Sequence, residues 1–224
     1  MTETVNECEP RSEDLRLAFA FIADAEKRAD VLVLFALLET LRDVPARVSE
    51  PLMGEIRLRW WYEAFEEMRD RRPVRYHPLN EAIQRLTERY SLEPQALMDV
   101  VEGQMPILDR TLSLRDALKV VDAGEGAITR LAARLLGDET DADHCARLSG
   151  LVSLTDLRLL PASELGPEEL AHLLRDATAE AKKLPSHLMP LALPAVVAKA
   201  RWAGRANPLM LRLKLFWAFV SGRI

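Results

Sequence analysis

The chain has 224 residues, 49% of them hydrophobic and 29% charged, with a formal net charge of −5; this is material for one large domain with a real core and excludes a disordered or fibrous protein. Its two cysteines, Cys8 and Cys145, supply neither a disulfide framework nor a metal cluster, which points to a reducing compartment. No run approaches the ~18–20 uninterrupted apolar residues of a spanning helix, and the acidic opening MTETVNECEPRSED resembles neither a secretory signal nor a transit peptide, so a cytoplasmic protein is expected.

Residues 1–11 read as a disordered start and 12–224 as a single domain. Leu, Ala, Arg and Glu dominate while Tyr is scarce, a helical composition. Residues 12–23 and 25–43 read as the first two helices. In the second, Val31, Leu34, Phe35, Leu38 and Leu41 recur at helical spacing and form one broad apolar face. Pro45 stops it. Ser49 then stands as an N-cap with Pro51 just inside the next helix, which runs to about Arg71 and ends at Arg71-Arg72-Pro73. Further helices are predicted at 78–90, 93–111, 113–136, 140–160, 166–183, 187–203 and 207–221, with Gly137 and Asn207–Pro208 as the plainest punctuation. Pro190 and Pro194 distort the start of the 187–203 segment. With no strand-like alternation, internal repeat or low-complexity tract, the fold class is all-α, a single-domain helix bundle.

Familiar catalytic signatures are missing: there is no HExxH, GxSxG or P-loop, and Gly124-Glu125-Gly126 is too short to cradle a phosphate. Glu63, Glu66, Glu67 and Asp70 cluster, but Arg69, Arg71 and Arg72 surround them, which reads as a solvated helix face. Asp138, Glu139, Asp141 and Asp143 lack the spacing of a calcium loop. Cys145 reads as a buried structural thiol despite the adjacent His144, because neighbours on a helix point apart.

The run SEPLMGEIRLRWWYEAF, residues 49–65, resembles the squalene/phytoene synthase family, which shares this helix and its paired-Trp signature. Two weaker similarities follow in register, DAGEGAITRLAARLLG at 122–137 and RLSGLVSLTDLRLLPA at 147–162. The resemblance implies antiparallel helices around a central cavity in which active members ionise allylic diphosphates held by Mg²⁺. Such a leaving group in an apolar cavity needs divalent ions, and the ions need carboxylates on two facing helices. Here both aspartate-rich motifs depart from the pattern. The first falls on Arg42 to Ala46, placing Arg42 and Ala46 at its two essential acidic positions and Pro45 within it. The second falls on Asp156 to Glu164, with Leu157, Leu159 and Leu160 where ligands should stand. Glu39, Asp43 and Asp156 are the fallback acids for a metal. Trp60 and Trp61 read mainly as core fillers, with Glu50 and Arg57 as candidate polar contacts inside the cavity.

The C-terminal fifth is unlike the rest. From Ala181 to Ile224 there is no Asp or Glu but eight Lys or Arg residues, so this stretch carries +8 and residues 1–180 carry −13. Within it, PLMLRLKLFWAFVS presents Leu209, Leu213, Phe216, Trp217 and Val220 flanked by Arg212 and Lys214, a helix expected to pack on the domain while offering aromatic and basic groups to an anionic membrane surface. Nucleic acid is disfavoured, since the whole chain is acidic and carries no binding motif.

One branch of the family lacks the aspartate motifs, resembles this chain in the SEP…GEIRLRWW region, and includes mitochondrial assembly factors for respiratory complex I that attach peripherally to the inner membrane. The resemblance implies a catalytically inactive, bacterial family member with a protein partner, acting as a membrane-associated assembly or interaction factor without a cofactor. Two alternatives stay open. One is a divergent, Mg²⁺-dependent prenyl-diphosphate transferase using Glu39, Asp43 and Asp156. The other is a carrier that binds a prenyl lipid without turnover.

Overall fold

The computed structural model describes residues 7–108, 112–154, 172, 175, 184–202 and 207–222, and among them the regular structure is helical with no strand. Helix α1 (Glu13–Phe19) starts at Ser12, whose Oγ accepts the Leu15 N–H at 3.3 Å. It is shorter than the predicted 12–23. Helix α2 (Ala25–Arg42) starts at Asp24, whose Oδ1 accepts the N–H groups of Glu26 and Lys27. Besides the predicted face, α2 buries Val33, Ala36 and Leu37. It is apolar nearly all round over this stretch, which makes it the interior helix of the bundle. Phe35 meets Phe19 of α1 with ring centroids 4.6 Å apart.

Helix α2 ends at Arg42, and Pro45–Arg47 forms one tight turn. Helix α3 (Pro51–Arg69) begins one residue later than Ser49 predicts: Glu50, extended at φ −121°, is the N-cap. The residue before a proline is driven out of the helical region, so Glu50 has to be the boundary. Gly54, Leu58, Trp61, Ala64 and Phe65 form the buried stripe of α3, and the helix packs along α5 (Pro94–Gly103). Between them, α4 (Pro78–Tyr90) starts at His77, whose Nδ1 accepts the Leu79 N–H at 3.1 Å, and rests against α2.

The predicted 93–111 helix breaks at Gly103, followed by a tight turn at Met105–Leu108, because Pro106 has no N–H to continue the ladder. The predicted 113–136 helix is interrupted differently. Helix α6 (Leu114–Val121) runs into a wide π-turn at Asp122–Gly126, and α7 (Ala127–Leu136) continues from it. Helix α8 (Ala142–Leu154) packs against α7, the π-turn, α9 (Met189–Ala192) and α10 (Pro194–Trp202); α11 (Pro208–Ser221) lies on α10. Pro194 separates α9 from α10. The predicted 166–183 helix, apart from residues 172 and 175, and the end of the 140–160 helix beyond Leu154 lie outside the described residues.

Residues 7–11, read from sequence as part of a disordered start, run against the bundle. The Cys8 thiol points at the Pro78 carbonyl, Pro10 is buried, and Arg11 reaches α2. No helix among the described residues is long and apolar enough to cross a membrane.

Candidate functional site

The end of α2 is where the family resemblance calls for metal-binding carboxylates, and there the chain presents a cation. Arg42 points inward and forms an ion pair with Glu125 through both guanidinium nitrogens. Each side chain is only 12% exposed. Arg42 Nε also donates to Gln104 Oε1 at 3.2 Å, while Gln104 Nε2 donates to the Val120 carbonyl at 3.2 Å. Gln104 is fully buried. Three helical segments distant in sequence therefore meet on one guanidinium.

The π-turn makes this meeting possible. Its extra residue per turn rotates Glu125 toward α2. Gly124 lets the backbone come close, since a Cβ there would lie 2.8 Å from Gln104 Nε2 and 3.0 Å from Arg42 Nη2. Gly124-Glu125-Gly126, too short in sequence to cradle a phosphate, packs its small residues closely instead, and nothing in the sequence reading pointed to Glu125 as the partner of Arg42. Gln104, next to a helix break at Gly103, carried no local signal either.

The fallback acids are already engaged. Glu39 accepts the backbone N–H groups of Arg11 at 2.6 Å and Ser12 at 3.1 Å, so it anchors the N-terminal segment. Asp43 pairs with the Arg11 guanidinium and, at 3.4 Å, with Arg47. Asp156 and the rest of the second motif lie outside the described residues. A Mg²⁺ ion needs several free oxygen ligands around an open position. The first-motif region instead offers a guanidinium neutralised by its own carboxylate, together with two acids held by arginines and backbone. It does not fit the ion. Among the described residues, no three His, Cys, Asp or Glu side chains converge in a way that could hold a metal.

Along α3 the two tryptophans separate. Trp61 is buried and packs on Phe65, whereas Trp60 is half-buried, with the two rings edge to face at 5.1 Å. His77 sits against both rings, and the Arg75 guanidinium lies 5.4 Å from the Trp60 ring centroid. Glu50 and Arg57, expected inside a cavity, are exposed on the outside of the bundle. Arg57 precedes Leu58 of the buried stripe by one residue, about 100° round the helix, and Glu50 belongs to the cap. The outer side of α3 borders a groove of about 780 Å³, lined by Pro51, Leu52, Ile56, Trp60, Met105 and Pro106.

The remaining charged clusters are paired. Arg75 holds Glu67 at 2.7 Å and Glu63 at 3.1 Å, and its hydrogen bond keeps the Glu67 carboxyl below the usual glutamate range. Asp70 is likewise held low by its hydrogen bond from Arg69. Asp143 pairs with Arg130 at 2.6 Å, and Asp138 lies 3.3 Å from His187. The Cys145 thiol is buried, faces the Leu188 carbonyl, and is pushed up to about 12 by desolvation, as an inert structural thiol should be.

On α11 two apolar ridges take opposite sides. The ridge docked on the domain is Leu211, Leu215 and Ala218. Leu209, Leu213, Phe216, Trp217 and Val220 face outward, and Trp217 is 70% exposed. Arg212 is exposed and meets Glu13 of α1 at 2.8 Å, while Lys214 is half-buried. Phe219 anchors the helix by stacking on Phe21 at 4.7 Å.

Comparison with protein families finds a match to the squalene/phytoene synthase model over residues 9–156. No curated protein matches the chain. Because the matched span covers more than half of the sequence, the chain belongs to the squalene/phytoene synthase family.

Proposed function

We propose that this member of the squalene/phytoene synthase family is catalytically silent and serves as an assembly or interaction factor attached to the surface of a membrane. The observation that carries the reading is the Arg42–Glu125 ion pair at the place where the family's chemistry calls for metal-binding acids. A carboxylate already neutralised by a guanidinium has no charge left for a divalent cation, and the neutral pair has none to offer a diphosphate. The leucines at 157, 159 and 160 of the second motif support the same reading from sequence. The similarity to the branch that includes complex I assembly factors supports respiratory complex I as the assembly served, and the bacterial cytoplasmic membrane as the place.

The test is a thermal-shift titration with farnesyl diphosphate, with and without Mg²⁺, combined with an assay for released diphosphate. The expected result is no stabilisation and no release. Metal-dependent stabilisation with diphosphate release would establish the transferase reading instead. Loss of assembled complex I on deletion of the gene tests the partner.

A second reading, a carrier of prenyl lipid, draws support from the groove beside α3, whose Leu52, Ile56, Trp60 and Met105 would meet a prenyl chain and whose Glu55, Arg59 and Glu63 make the rest of its wall charged. It predicts stabilisation by prenyl lipids that needs no metal, and substitution of Ile56 by Glu should remove it.

A further inference from the structure

We infer that the outward face of α11 is the surface that enters an anionic lipid bilayer, through Leu209, Leu213, Phe216, Trp217 and Val220. The inference rests on the membrane attachment proposed above and assigns it to one side of one helix. Two apolar ridges run along α11. Leu211, Leu215 and Ala218, spaced i, i+4 and i+7, are buried against the domain. The second ridge, at i, i+4, i+7, i+8 and i+11 from Leu209, is uncovered among the described residues: Leu209 is 67% exposed, Val220 61%, Phe216 55% and Leu213 54%. A surface helix normally turns polar residues outward, and a contiguous apolar face of this size marks a docking surface.

The nature of the occupant follows from shape and charge. The ridge is the convex side of a helix that already has its own seat, so it fits a soft, flat medium. Helix α11 holds 14 residues, too few to cross a bilayer, so it would lie in the plane of the interface. It contains Arg212 and Lys214 and no acid, within a 44-residue stretch that carries +8 while the rest of the chain carries −13. The C-terminal stretch that contains α11 is thus the part of the sequence that anionic headgroups would attract. Arg212 is tied to the rest of the domain by an exposed pair with Glu13, a weak link that its long side chain can exchange for a phosphate. Trp217 is the side chain best suited to the boundary between headgroups and tails.

The test is flotation of the full chain with vesicles of phosphatidylcholine alone and of phosphatidylcholine mixed with phosphatidylglycerol. The wild type should float with the mixed vesicles. Replacing both Phe216→Ser and Trp217→Ser should lower the partition coefficient at least about tenfold, because two large side chains no longer leave water. Arg212→Gln and Lys214→Gln should each cost about fivefold. Phe216 and Trp217 lie outside the core, so the melting temperature and helical circular dichroism of their double variant should match the wild type. If the wild type floats and the aromatic variant floats equally well, attachment stands but the assignment to this face is overturned. If the wild type does not float, the attachment falls with it. If instead the chain is dimeric by light scattering, does not float, and becomes monomeric on the aromatic substitutions, the face belongs to a second copy and the inference is overturned. None of these outcomes bears on catalytic silence, which the diphosphate assay decides separately.

Discussion

Replacing Arg42 by Met probes the interior ion pair directly. The substitution keeps the length and apolar stem of the side chain but strips Glu125 of its ion pair in a place where that carboxylate is only 12% exposed. Breaking a buried pair by removing one partner costs about 3–5 kcal/mol. The residual exposure admits some water, so a loss of about 3 kcal/mol is expected here. For a chain of this size that corresponds to a melting temperature lower by roughly 6–12 °C. Replacing both residues, Arg42→Met with Glu125→Met, should bring stability back to within about 1 kcal/mol of the wild type, since a buried pair exchanged for apolar groups of similar volume is often close to neutral. Urea unfolding of the wild type, the two single variants and the double variant gives the coupling energy between the sites. A loss below about 1 kcal/mol for Arg42→Met, or a coupling indistinguishable from zero, would refute the reasoning. The pair would then be a solvated contact, and the catalytic silence proposed from it would lose its support.

Two further outcomes follow from the turns and from the acid groups. Helices α3 and α7 end in the same way: Arg72 N–H reaches the Glu67 carbonyl at 2.8 Å, Asp138 N–H reaches the Ala133 carbonyl at 3.1 Å, and the residue before each is left-handed. That residue is Gly137 in one and Arg71, at φ 55°, in the other, so Arg71→Gly should stabilise and Gly137→Ala destabilise, each by about 1 kcal/mol in chemical unfolding. The Arg75 hydrogen bond lowers the folded-state pKa of Glu67 below its unfolded value. Its stabilisation is therefore fully present above the ordinary glutamate range and is lost as pH falls through the lowered folded value. Unfolding followed from about pH 5 to pH 3 should show a shallower decline for Glu67→Gln than for the wild type; equal slopes would mean that the Arg75 contact does not distinguish folded from unfolded chain.

Much of the architecture is written locally in the chain. Asp24, Ser113 and Asn207 cap helices with their own side chains, Pro45 and Pro106 interrupt them, and Gly137 closes α7. Such signals act over four or five residues, so they survive without tertiary context. The loss of the first acidic motif was equally legible, because it needs only the identity of residues 42–46. Glu50 rather than Ser49 is the N-cap of α3 because the restriction imposed by Pro51 outranks the capping preference of serine.

What the sequence could not decide is which distant groups meet. Arg42 and Glu125 are 83 residues apart, and their contact depends on a π-turn that leaves the helical periodicity of 114–136 almost undisturbed. Glu39 and Asp43 look like an available acidic pair until Arg11, 32 residues before Asp43, folds back on them. Helix α11 offers two apolar ridges, and hydrophobic spacing by itself cannot say which one docks. That choice belongs to packing: Leu211, Leu215 and Ala218 fit the domain, and the larger side chains on the other ridge are left facing out. Local chemistry is a property of adjacent residues. Pairing across the fold is a property of the summed packing and electrostatics of the whole chain, and only the tertiary structure carries it.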